Sequence, residues 1–115
     1  MNDNLFHVIF GEALESADRT AFVSDWALSS VFAPDGEEPS EEIRADLIEQ
    51  LGRIWDVAHM SVPEIRATTG LSQVKFAERF CVPRRTLEGW ESRGSCPDYV
   101  RLMMAELLGI FDRNY

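Results

Sequence analysis

Apolar residues recur at helical spacing almost from the first position of this chain. Leu5, Val8 and Ile9 open one amphipathic stretch, and Phe22, Val23, Trp26, Ala27 and Val31 form a second that runs to Phe32. Steps of three and four place such positions on one helix face, so two helices are predicted, meeting near Asp18. Asp18 is a good N-cap for the second, because its carboxylate can accept from the amides of a first turn. From Ala33 to Pro39 the chain has two prolines, a glycine and three acids, the composition of an exposed loop and the clearest internal break. Ser40 followed by Glu41, Glu42 and Ile43 then reads as a helix start: a hydroxyl cap, with carboxylates at the positive end of the dipole. Ile43, Leu47, Leu51, Ile54 and Trp55 make one stripe along that helix, which should end near His59.

The second half is punctuated more closely. Ser61 and Glu64 have capping-box spacing, with Pro63 in the first turn where its missing N–H costs nothing. Helices are predicted over 62–69, 72–80 and 83–92, and from Pro97 or Asp98 to Leu108, with Gly70 and Gly109 as stops. Useful β-alternation, internal repeats and low-complexity tracts are missing. The expectation is an all-α protein: an acidic helical extension of about three helices over residues 1–60, and a four- to five-helix module over 61–115. The last helix, from Tyr99 to Leu108, is apolar on more than one face. One face should pack on the module, leaving the other for a second copy or for the N-terminal helices.

Charge sharpens this division. Residues 1–60 hold 13 Asp/Glu against 3 Arg, whereas residues 61–115 hold 7 against 8 Lys/Arg, within a chain of net charge −9. So acidic a protein cannot bind nucleic acid by bulk attraction, and any such contact needs a local basic face. Apolar runs fall short of a membrane span, and the start of the chain, with Asp3, Glu12 and Glu15, lacks the basic region of a signal peptide. A cytoplasmic protein with no membrane partner is expected. Cys81 and Cys96 lack CxxC pairing and read as reduced thiols. Together with His7 and His59 they lack the short paired spacing of a metal site, so no metal or other cofactor is expected. Two isolated histidines, without a glycine-rich phosphate loop or a nucleophile elbow, give no acid–base constellation and no catalytic residues to assign; the chain reads as a non-enzyme.

The informative segment runs from Leu71 to Glu91. It reads as two short helices crossing at a tight turn, with Ala77 small where the second must approach, and with Phe76, Phe80, Val82, Leu87 and Trp90 as the wedge of core between them. The order Leu71-Ser72-Gln73, Phe76-Ala77, a turn, the polar triplet Arg84-Arg85-Thr86, then Leu87-Glu88-Gly89 resembles the helix-turn-helix of the phage-repressor (lambda-repressor-like), Xre-like family of transcriptional regulators. The resemblance covers roughly residues 62–109. It implies that Gln73 begins the first motif helix near a base edge, and that Ser72 caps that helix and presents its amides to a phosphate. It implies that Arg84, Arg85 and Gly89 face the major groove, with the arginines suited to guanine, and that Thr86 and Glu88 make secondary base contacts. Lys75, Arg79, Arg93 and Arg101 become phosphate partners, and Arg66 with Glu91 a structural salt bridge. The implied function is sequence-specific binding of double-stranded DNA by a homodimer, acting as a repressor. Three residues depart from the family pattern. Cys81 stands where glycine is usual, so the turn is expected to differ slightly; Pro83 replaces a capping Ser/Thr; Gly89 brings no side chain to the groove, so readout should be narrow. Two other functions fit the same residues: an antitoxin-type autoregulator whose acidic helices bind a protein toxin, and an interaction module that does not bind DNA.

Overall fold

Side-chain caps start the three α-helices of the first half. Asn2 accepts from the amide of Leu5 and starts α1 (Asp3–Glu15). Asp18 accepts from Ala21 and starts α2 (Arg19–Ala27), and Ser40 accepts from Ile43 at the head of α3 (Glu41–Ala58). The computed structural model describes residues 1–33 and 35–113, and all regular structure among them is helical. The chain divides into two compact units, the first Met1–His59 and the second from Met60 onward.

In the first unit α1 and α2 both pack on α3. Phe6, Ile9, Phe10 and Ala13 of α1 are buried with Phe22, Val23 and Ala27 of α2 and Leu47, Leu51, Ile54 and Val57 of α3. The buried face of α1 is therefore centred on its two phenylalanines, whereas Val8, expected on it, is exposed. Ile43 is likewise exposed at the head of α3 instead of opening its core stripe. The second predicted helix also stops short. It ends at Ala27, and Ser29 starts a separate 3-10 turn, Ser30–Phe32, by accepting from the amide of Val31. Serine hydroxyls that bond to nearby backbone compete with helix continuation, which accounts for the break. The proline-containing loop after it leads into α3 within the same unit, so it is not a boundary between cores. Arg19 is laid across α3: both of its terminal contacts go to Asp56, at 2.9 and 3.1 Å, and a Cβ at Gly52 would come within 2.4 Å of its guanidinium. That close approach requires glycine at position 52 unless Arg19 moves away.

The second unit contains α4 (Val62–Ala67), α5 (Gln73–Phe80), α6 (Arg84–Arg93) and α7 (Asp98–Leu107). Ser61 and Glu64 close a reciprocal capping box at the start of α4, as their spacing predicts. α4 packs on α6 and α7, and α5 packs on α6. The core is Val62, Ile65, Phe76, Ala77, Leu87, Cys96 and Met104, with Phe80, Val82 and Trp90 partly buried against it. α7 turns Leu102, Met104 and Ala105 inward. Val100 packs partly buried against the core, and the exposed apolar positions Tyr99, Met103 and Leu107 follow each other at four-residue steps, 65%, 50% and 73% exposed. Among the described residues no helix is long and apolar enough to cross a membrane.

Candidate nucleic-acid interface

The connection between α5 and α6 takes three residues and depends on one backbone angle. Cys81 ends α5 in the left-handed conformation, with φ 53° and ψ 38°, the one non-glycine residue at positive φ among those described. Its amide reaches Glu78 O, and the amide of Val82 reaches back to Ala77 O at 2.9 Å, so the last carbonyls of α5 are satisfied as the chain reverses. Cys81 thus adopts the left-handed conformation of the turn although it is not a glycine. The strain, about 1–2 kcal/mol for a side chain in this region, is held at Cys81. The reversal brings α6 onto α5 over Phe76, Ala77 and Leu87, all buried, while the Phe76 and Phe80 rings, one turn apart on α5, lie 4.9 Å from each other.

Two helix heads lack a side-chain cap, that of α7 behind Pro97, which has Asp98 in its first turn, and that of α6. Pro83 precedes α6 and provides no side-chain cap, and its first turn contains no acid. Instead it carries Arg84 and Arg85, both exposed. A helix N-terminus presents partial positive charge from unpaired amides, so each added cation there opposes the fold by about 0.3–1 kcal/mol. Arg84 is partly compensated by Glu88 one turn on, at 3.1 Å, in a pair that is itself largely solvated. Arg85 makes no ion pair among the described residues, and Thr86 beside it is exposed. The arrangement is unfavourable to the isolated helix and favourable to an anion.

Gly89 lies one turn beyond Arg85 and is buried, because Arg93 folds back across it. A Cβ built at Gly89 would meet the Arg93 guanidinium at 2.4 Å. Arg85, Gly89 and Arg93 share one helix face, and the side chain missing at 89 is replaced by that of Arg93. The sequence carries this signal in its i, i+4 spacing, but only the structure shows which way Arg93 turns.

The remaining candidates separate into exposed and structural groups. Ser72 caps α5, accepting from the amide of Lys75. Lys75 stands 3.5 Å from Glu78, and Arg79 lies 6.0 Å over the Phe80 ring; both remain at the surface. Arg66 and Glu91 form a bidentate pair, with Nε and Nη2 each 2.9 Å from a carboxylate oxygen, while Arg66 Nη1 donates to Leu71 O. Their side chains are 27% and 9% exposed. The hydrogen bonds from Arg66 hold the Glu91 carboxyl below its ordinary range, against the opposing effect of burial, and the same bonds raise the Arg66 guanidinium. Gln73 belongs to this network, since its amide nitrogen donates to Glu91 Oε1 at 3.3 Å. Its position at the helix start does not by itself reveal that tie. Arg101 is also structural. It donates to Met60 O at 2.6 Å and pairs with Asp98 at 2.7 Å, with 14% of its side chain exposed, so it is bound to its own unit instead of being available for a phosphate.

Cys81 is an exposed free thiol and Cys96 a buried one, the latter pushed up in pKa by desolvation. Among the described residues no group of His, Cys, Asp and Glu is arranged to hold a metal ion. Compared with known proteins, the chain gives no significant match to a family model, a curated protein or a solved structure.

Proposed function

We propose that the second unit is a lambda-repressor-like, Xre-like helix-turn-helix module that binds double-stranded DNA, and that the protein is a sequence-specific transcriptional regulator acting as a repressor. The head of α6 is the observation that carries this reading: an uncapped N-terminus bearing two exposed arginines and no acid. Inserted in a major groove, that end brings Arg84, Arg85 and Thr86 to base edges, and guanidinium forks match O6 and N7 of guanine. Glu88 orients Arg84 or accepts from a cytosine amine. Arg93, folded over Gly89, extends the same face toward a base or phosphate. On α5, the amides capped by Ser72, the amide oxygen of Gln73, and the cations Lys75 and Arg79 follow the duplex backbone. The Arg66–Glu91 pair fixes the end of α6 to α4, so the reading helix is held before DNA arrives. Tyr99, Met103 and Leu107 of α7 supply an apolar strip for a second copy, and two-fold symmetry would then place two α6 helices in successive grooves.

The test is selection from random duplex DNA, followed by affinity against salt for wild type and the Arg84→Ala/Arg85→Ala double variant. A palindromic, guanine-containing winner is expected, lost in the variant, whose salt slope should fall by about 0.9 for each phosphate contact removed. No enrichment, with wild type and variant binding equally weakly and without salt dependence, would refute DNA binding and favour the protein-interaction reading.

A further inference from the structure

The first unit contains a site that DNA binding does not use. Between α2 and α3 lies a cleft of about 400 Å³, lined by Val23, Ala27 and Leu28 on one side and Ile48 on the other, together with Arg19 and Arg44. Thr20 and Ser24 add hydroxyls to the α2 wall. Leu28 and Ile48 remain 73% and 44% exposed, so the apolar walls are open to solvent. Residues 1–60 hold three cations against 13 acids, and two of the three line this cleft. Arg19 is committed to Asp56, at 2.9 and 3.1 Å. Arg44 is half-buried and has no ion pair among the described residues.

We propose that this cleft binds a small organic carboxylate with an apolar body, such as a medium-chain acyl or an aryl acid. The body lies between Val23, Leu28 and Ile48, and the carboxylate is taken by the guanidinium of Arg44, whose planar fork fits two carboxylate oxygens. Apolar walls with a few convergent polar groups, at a volume of about 300–1,000 Å³, are the usual form of a small-molecule site. The acid-rich remainder of the unit limits the charge of the occupant: it repels polyanions such as nucleoside triphosphates, and Arg44, without an ion pair among the described residues, matches one negative charge. The inference does not depend on the second unit binding DNA.

The experiment is a titration of the full-length, 15N-labelled protein with octanoate, with octylammonium and inorganic phosphate as probes of opposite charge and of charge without an apolar body. Octanoate should give saturable shifts at the amides of Val23, Ala27 and Ile48, weakened about tenfold by Arg44→Gln, as loss of a partly solvated charge-assisted bond implies. Leu28→Glu, at a residue already exposed, should abolish those shifts without disturbing the core. Octylammonium and phosphate should give none. Equal binding of octylammonium, unchanged affinity in Arg44→Gln, or no saturation with octanoate would overturn the proposal. So would concentration-dependent shifts of the same amides without ligand and a doubled sedimentation mass, which would assign the cleft to a second copy of the chain.

Discussion

Arg66 and Glu91 join the first helix of the second unit to the end of α6, and the consequence of cutting that link can be worked from the geometry. Two unit charges about 4 Å apart attract by about 4 kcal/mol at an effective dielectric of about 20, and desolvation removes much of that gain. Arg66→Met leaves Glu91, whose side chain is 9% exposed, with one 3.3 Å bond from Gln73. An uncompensated charge in a full interior costs about 3–5 kcal/mol; discounted for the 27% exposure of the Arg66 side, the expected loss is about 2–3 kcal/mol. Glu91→Leu is milder, about 1–2 kcal/mol, because Arg66 keeps Leu71 O and can turn toward water. The double variant removes both charges and should lose about 1 kcal/mol or less, giving a coupling of about 2 kcal/mol or more. The assay is urea unfolding followed at resolved amide signals of α4 and α6, since a whole-chain signal from two units would not be a single transition. Acid gives a second check on the sign. Glu91 has a lowered folded-state pKa, so its contribution is complete above the ordinary carboxylate pKa and is lost as pH falls through the folded value. The stability gap between wild type and Glu91→Gln should therefore be constant near neutrality and close below about pH 4. A double variant as unstable as the sum of the singles, or a gap that widens in acid, would refute the reasoning.

Two further outcomes follow from the α5–α6 connection. Cys81→Gly should raise the stability of the second unit by up to about 1 kcal/mol, measured in the same urea titration, because the exposed side chain contributes strain at φ 53°; an unchanged or lower midpoint would show that the thiol has a packing role. Arg84→Ala/Arg85→Ala should leave stability equal or raise it by about 0.5–1 kcal/mol while removing DNA binding, because two cations at a helix head oppose its dipole; marked destabilisation would show that the arginines serve the fold.

Much of the fold is legible in the sequence where a local chemical rule decides. Asp18, Ser40, Ser61 and Ser72 each start a helix through the cap their position predicts, and Gly70 and Gly109 stand at positive φ where helices were expected to stop. The approximate extents of α4 to α7 follow from such signals. The errors fall where several residues compete for one role. In α1, Leu5, Val8 and Ile9 and the set Phe6, Ile9, Phe10 and Ala13 both have helical spacing, and the larger rings take the interior. At Ser29 a hydroxyl bond diverts the chain into a 3-10 turn although Val31 and Phe32 continue the apolar period. Within the candidate site, the ion pair was readable as a spaced couple. The inward tie of Gln73, the capture of Arg101 by Met60 O and the fold of Arg93 over Gly89 are choices of rotamer. Long side chains have several staggered options, and tertiary neighbours select among them.

The distribution of local strain bears on where function lies. In the first unit the heads of α1, α2 and α3 are capped by their own side chains, and the acids of Asp3, Glu41 and Glu42 sit where the helix dipole favours them. The second unit caps α4 and α5 in the same way, although α5 has Lys75 and no acid in its first turn, and departs further from those rules between Cys81 and Gly89. There it places a branched-free but non-glycine side chain at positive φ, an uncapped helix head, two cations against the dipole, and a glycine inside a helix under an arginine. Each feature costs stability, and the bidentate Arg66–Glu91 pair anchors the far end of the same helix. A folding-only account would relieve each of them with an ordinary substitution: glycine at 81, serine at 83, an acid at 84 or 85. Departures from the local rules this close together point to another demand on the same residues, and an external anion at the head of α6, as proposed above, would supply it. Arg44, without an ion pair among the described residues, breaks the charge pattern of the first unit in the same way, which is why a monoanion is proposed for the cleft beside it and a polyanion for the head of α6.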